Sequence, residues 1–286
     1  METSQLGKPI MRRVVAALAS AGLAAMLAVT AAAETVEALQ ARIEDRQIAV
    51  YVHKPAGAGP FPVLVLSHGS PRDAAGRAEF GKGTLAAVAR HFTARGVMVA
   101  VPIRRGYGAE GGAWAEGYGA CDRAEFHRAG LASARDIRAA LDAVLSRPDA
   151  DARRVVLMGV SAGGWGSLAA ASQSVPGLLG VVNFAGGRGS QKAGEVCSPD
   201  ALVSAAARYG GGSRVPQLWL YSSNDRFFGP EVAGRLHRAF QDAGGRAEFV
   251  AAPPFGEDGH RYIRAIDQWQ GKVDGFLATI GFTGRR

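Results

Sequence analysis

The feature that most constrains this chain is the run Gly159-Val160-Ser161-Ala162-Gly163. It follows the apolar stretch Arg154-Val155-Val156-Leu157-Met158 and opens into the small-residue stretch Gly164-Trp165-Gly166-Ser167-Leu168-Ala169-Ala170. A glycine–serine pentapeptide by itself is a weak signal. Between a strand pattern and a helix pattern it predicts a sharp turn with strained serine dihedrals, where flanking glycines relieve steric clashes. Such a turn lifts the serine Oγ above the sheet edge. It also aims the first N–H groups of the following helix at whatever the hydroxyl attacks.

The rest of the chain supplies a matching framework. Apolar runs at 47–52, 62–67, 97–102, 154–159, 179–184, 217–221 and 247–250 read as strands. Helix-period segments lie at 84–95, 126–145, 163–173, 230–242 and 262–280, with a shorter helix around 200–209. Alternation of the two implies right-handed βαβ units and a buried, mostly parallel sheet with helices on both faces. Residues 36–43 and 47–52 alternate more weakly and predict an antiparallel hairpin at the N-terminal edge. No internal repeat or low-complexity linker interrupts residues 34–286, so one α/β domain is expected there.

A serine hydroxyl is a weak nucleophile at neutral pH and needs a base with an orienting acid. Downstream of Ser161 only His237 and His260 are available. His237 falls in a helix pattern and is expected on its surface. His260 sits in the polar loop Gly256-Glu257-Asp258-Gly259-His260 after the last strand, which makes it the expected base. Asp225 follows the strand Leu218-Trp219-Leu220-Tyr221 and is the expected acid, with Asp258 read as a turn carboxylate. An oxyanion hole needs two backbone donors. The expected pair is the N–H of Ala162 and that of Ser70, in the loop His68-Gly69-Ser70, with His68 bracing that loop. Losing one such donor typically costs about 3 kcal/mol of barrier.

Together with Leu66-Ser67-His68-Gly69-Ser70, Val101-Pro102-Ile103-Arg104-Arg105-Gly106-Tyr107-Gly108, Asn224-Asp225-Arg226 and Asp258-Gly259-His260, these residues resemble the α/β-hydrolase superfamily. The branch they look most like is that of the dienelactone-hydrolase-like bacterial esterases. The branch's namesake uses a cysteine nucleophile where Ser161 stands, so the resemblance implies carboxylic esters rather than dienelactone. It implies a small-molecule ester substrate, with neither metal nor organic cofactor needed. A peptidase or amidase with the same triad is the alternative, and a non-catalytic binding protein on the same fold a more remote one. Tyr107, Trp114, Trp165, Phe227, Phe228 and Phe255 are candidate apolar walls for the substrate, although aromatics more often belong to the core. Arg104 and Arg105 are candidates for attracting an acidic substrate group, with surface ion pairing as the plainer role.

The first 33 residues read differently. Lys8, Arg12 and Arg13 precede an uncharged stretch, Val14 to Thr30, and Ala31-Ala32-Ala33 places small residues before Glu34. This is the layout of a secretory signal peptide cut after Ala33, with an uncleaved anchor as the alternative. Export to the periplasm or beyond is expected, with no stable membrane insertion after cleavage. Two cysteines, Cys121 and Cys197, both in glycine-containing loops, then favour one disulfide over two free thiols. The net charge of +8 drops to +6 without the first 33 residues. Its arginines are scattered rather than clustered with aromatics, so a nucleic-acid partner is not expected.

Overall fold

The computed structural model describes residues 1–2, 34–109 and 111–282; residues 3–33 of the predicted signal peptide lie outside them. Every element described below lies within the unit Ala32–Arg286.

Among the described residues of this unit ten strands form: β1 (Thr35–Ile43), β2 (Arg46–Lys54), β3 (Phe61–Ser67), β4 (Met98–Pro102), β5 (Ala150–Val160), β6 (Leu178–Phe184), β7 (Ser190–Lys192), β8 (Glu195–Val196), β9 (Gln217–Ser222) and β10 (Ala247–Ala252). Eight of them make one sheet in the order β1-β2-β4-β3-β5-β6-β9-β10, while β7 and β8 pair as a small separate ribbon. The β1–β2 and β2–β4 pairings are antiparallel, and from β4 to β10 the sheet is parallel. The eight-stranded sheet, including the N-terminal hairpin, is the one expected from the sequence, whereas the β7–β8 ribbon is not expected from it.

The parallel strands are apolar throughout because helices cover both faces. Along β3, Val63 and Val65 pack on one side and Leu64 and Leu66 on the other, as the two-residue strand period requires. The first face is covered by α3 (Phe126–Leu145), α4 (Ala162–Ala171), α5 (Pro199–Gly212) and α6 (Pro230–Asp242). In α3 the buried residues Phe126, Ala134, Ile137, Leu141 and Val144 recur at helical spacing. The second face is covered by α2 (Ala86–Thr93) and α7 (Ile266–Thr279), through Val88, Phe92, Trp269 and Val273. Burying each such side chain contributes about 1.5–3 kcal/mol. A one-turn helix, α1 (Ala74–Ala78), stands apart in the loop after β3 and buries none of its residues; the sequence gives little sign of it. Among the described residues no helix is long and apolar enough to cross a membrane.

Two long loops follow strands β4 and β6, both at the carboxyl edge of the sheet, where open α/β folds place ligands. Cys121 and Cys197 join them in a disulfide. Closing a loop of 76 residues limits the unfolded chain and stabilises the fold by about 4 kcal/mol on chain-entropy grounds. The Cys121→Ser/Cys197→Ser double variant should therefore lose about 2–4 kcal/mol in denaturant unfolding under oxidising conditions. Wild-type protein treated with reductant should show the same loss, and an unchanged midpoint in both would show that the bond does not tether the fold.

Candidate active site

At the end of β5 the chain turns into α4 within one residue. Ser161 is that residue, at φ 55° and ψ −122°. The conformation is unfavourable for a side chain and costs about 1–3 kcal/mol. Its surroundings hold it there: Ser161 N–H donates to Phe184 O (2.9 Å), and Ser161 O accepts from Trp165 (2.9 Å) and Gly187 (3.2 Å). The two glycines of the motif have distinct reasons. A Cβ on Gly159 would collide with the backbone of Gly163 and Gly164, and one on Gly163 with the carbonyls of Ser67 and His68. The turn closes only because both positions lack side chains.

Asp225, in the loop after β9, is anchored before it meets any partner. Its Oδ1 accepts from the N–H groups of Phe227 (2.7 Å) and Phe228 (2.9 Å). Its side chain is fully buried, and both oxygens lie 3.1 Å from His260 Nδ1. His260 Nδ1–H therefore donates to the carboxylate, and Nε2 points away from it. His260 is further fixed by stacking on Phe227 (ring centroids 4.4 Å apart) and by Asp258, whose carboxylate accepts the His260 N–H at 3.0 Å. Asp258 thus braces the loop, as its turn reading implied. Ser161 and His260 line the same cleft, and Ser161 Oγ makes no hydrogen bond among the described residues. His237 is half-buried rather than on the surface, with Nε2 against Ala247 O at 2.9 Å.

Gly69 and Ser70 also line this cleft. A Cβ on Gly69 would lie 3.3 Å from Ser161 Cβ, so the loop after β3 runs directly beside the serine. The N–H groups of Ser70 and Ala162 donate to no partner among the described residues, and Ala162, the first residue of α4, has none available inside its helix. His68 holds this loop from behind. Its Nδ1 donates to Gly69 O (2.7 Å), Nε2 faces the Arg104 N–H (3.5 Å), and the ring packs on Phe80 and Tyr107.

The cleft, of about 1230 Å³, is walled by Trp114, Tyr118, Phe227 and Phe228, and Arg188 and the segment 70–73 also line it. Three expected walls are misplaced. Trp165 is fully buried and donates to Phe126 O between α3 and α5, because a residue four places into α4 faces the core. Tyr107 lies behind the cleft, its hydroxyl donating to Glu116 at 2.8 Å. Phe255 packs edge-on against Tyr262 on the α2–α7 side.

Arg104 and Arg105 are likewise not surface residues. Arg104 is fully buried and pairs with Glu116 while donating to Ser67 Oγ (3.1 Å) and His68 O (2.8 Å). Arg105 is held by Asp136 through its N–H (2.8 Å) and Nε (2.7 Å). Glu116 also pairs with Arg188. Burial pushes the Glu116 carboxyl up, but the Arg104 and Arg188 guanidiniums outweigh this and hold it far below the usual carboxylate range. Sequence reading missed Glu116 and Arg188, since a lone acid in a glycine-rich loop and a lone arginine after β6 carry no spacing signal.

Residues 84–176 match the prolyl oligopeptidase family. Among solved structures, a puromycin-hydrolyzing peptidase of Mycobacterium tuberculosis aligns with TM-score 0.62 and 20% identity, over 88% of this chain and 41% of that one. A Klebsiella pneumoniae protein assigned as a candidate dienelactone hydrolase aligns with TM-score 0.60 and 17% identity, over 87% and 99%. An esterase of the planctomycete Thermogutta terrifontis, bound to propionate, aligns with TM-score 0.60 and 16% identity, over 88% and 96%. This chain thus spans about two fifths of the peptidase's length. No relative is found among curated proteins. What the three structures share with this chain is the fold.

The setting of His68 has a consequence for stability. Burial, reinforced by the Arg104 charge, holds its imidazole neutral well below the usual value near 6.5. In the unfolded chain it titrates normally, so protons favour unfolding as pH falls below about 6.5. The stability it confers is complete above that pH and drains away down to its lowered folded value. Unfolding free energy should fall by up to about 1.4 kcal/mol per pH unit from this residue alone. A His68→Gln variant should show a shallower pH slope between pH 7 and 5; an identical slope would remove His68 from the account.

Proposed function

We propose that this chain, which shares its fold with the peptidase and hydrolase structures above, is a serine hydrolase of the α/β-hydrolase superfamily acting on carboxylic esters. Ser161 is the nucleophile, His260 the general base and acid, and Asp225 the residue that orients it. The observation carrying this reading is the left-handed Ser161 at a strand–helix junction, facing one cleft with a histidine whose Nδ1 is bound to a buried aspartate.

In this reading Ser161 Oγ adds to the ester carbonyl and its proton passes to His260 Nε2. The imidazolium so formed is stabilised by Asp225 through Nδ1–H. The N–H groups of Ala162 and Ser70 take the negative oxygen, in a site where fixed dipoles need no reorganisation. Collapse expels the alcohol, which carries away the His260 proton, and leaves an acyl-enzyme. Water then attacks the acyl carbon, giving its proton to His260, which returns it to Ser161 Oγ as the carboxylic acid leaves.

The ester preference draws support from end-to-end similarity to the Thermogutta terrifontis esterase. The match of residues 84–176 to the prolyl oligopeptidase family favours a second reading, an amide-cleaving enzyme with the same machinery. We also place the enzyme outside the cytoplasm, with Glu34–Arg286 as the mature domain. The Cys121–Cys197 bond and the signal-like leader support that placement.

Purified Glu34–Arg286 should hydrolyse p-nitrophenyl butyrate, and Ser161→Ala should lower kcat by about 10⁴-fold or more with an unchanged circular dichroism spectrum. Faster turnover of aminoacyl p-nitroanilides than of any ester in a panel would replace the ester reading by the amide one. Undiminished activity in Ser161→Ala would remove both.

A further inference from the structure

The buried charges behind the cleft do not balance. Glu116 faces two guanidiniums, those of Arg104 and Arg188, and also accepts from the Tyr107 hydroxyl. The neighbouring carboxylate, Asp136, is taken up by Arg105, which has a second, half-exposed partner in Glu44. Around Glu116 one positive charge is therefore unmatched, at side-chain exposures of 0% for Arg104 and 3% for Arg188. Such a buried charge is unfavourable unless a counter-charge completes it.

The excess resides on Arg188. Arg104 is used at every nitrogen: Nε and Nη2 on Glu116, Nη1 on Ser67 and His68. Arg188 is not. Its Nη2 donates to Glu116 and to Ser133 Oγ (2.9 Å), but its Nε is buried with no partner, and its Nη1 makes no hydrogen bond among the described residues. Arg188 also lines the cleft, one residue beyond Gly187, whose N–H donates to the Ser161 carbonyl. A guanidinium with unused donors thus belongs to a residue lining the same cleft as the nucleophile. Around the same cleft Arg72, Lys82, Arg261 and Arg264 outnumber Asp73 and Glu79, so its field also favours anions.

We propose that Arg188 anchors an anionic group of the substrate, so that the preferred substrate is an ester carrying a carboxylate. One unmatched charge suits a monoanion, and a guanidinium held by Glu116 and Ser133 is already oriented for charge-assisted hydrogen bonds. Arg104 and Arg105, the positions that the sequence suggested for this role, are consumed internally. The proposal rests on the serine-hydrolase reading of the same cleft.

The test compares mono-p-nitrophenyl glutarate with neutral p-nitrophenyl valerate, of equal acyl chain length, on Glu34–Arg286. Wild type should prefer the charged ester by about tenfold or more in kcat/KM, most of it in KM. In Arg188→Met, which leaves Glu116 and Arg104 as a balanced pair, the ratio should fall to near one; Arg188→Lys should keep part of it. Calorimetry with glutarate supplies a readout independent of turnover: binding to Ser161→Ala and loss of binding on adding Arg188→Met. Equal rates on both esters in wild type, or a preference that survives Arg188→Met, would overturn the anion anchor while leaving the hydrolase reading intact. No turnover of either ester with Arg188-dependent glutarate binding would overturn the hydrolase reading instead. Absence of both would overturn the anchor as well.

Discussion

Ser161 occupies a backbone conformation that side chains avoid, and the tight junction between β5 and α4 keeps it there. That junction needs β6 on one side to receive the Ser161 N–H and the loop after β3 on the other to press against Gly163. Both neighbours are set by the sheet order β3-β5-β6, which in turn needs apolar runs buried on two faces. The strain at one residue is thus supported by the whole sheet. In return, its hydroxyl is held in the cleft and the first N–H of α4 is left unbonded beside it.

Around that point the walls are held by unlike means. The loop after β4 and the loop after β6 are joined covalently through Cys121–Cys197 and ionically through Arg104, Glu116 and Arg188. Asp225 is fixed by two backbone N–H groups before it binds His260, and His260 is in turn stacked on Phe227. Arg72 lies over the same ring, 5.0 Å from its centroid, and also donates to Ser190 O. Each group with a proposed chemical role is therefore positioned by a second that has none, the arrangement a preorganised site requires.

The fold was largely legible because its signals are local. Strand runs, the helix period of Phe126–Leu145 and the glycine–serine turn each follow from neighbouring residues, and the Asp225–His260 contact follows from their order along the chain. What was not legible depends on direction in space. Trp165 and Tyr107 are aromatics close in sequence to site residues, yet one turns into the α3–α5 interface and the other behind the cleft. The Arg104–Arg105 pair looked like surface charge, because nothing near it in sequence announces that Glu116 and Asp136 will be buried against it. Helix α1 has only five residues, with the Asp73 side chain capping Gly76 N–H, too short for a periodic signal.

A fluorophosphonate probe tests the central claim directly, since it reacts only with a serine activated by its surroundings. Peptide mapping of the labelled protein should place a single adduct on Ser161, with labelling abolished by unfolding and strongly slowed in His260→Gln. Labelling at another serine, or none at Ser161 in folded protein, would contradict the claim that the strained turn and the distant His260–Asp225 pair act on one hydroxyl.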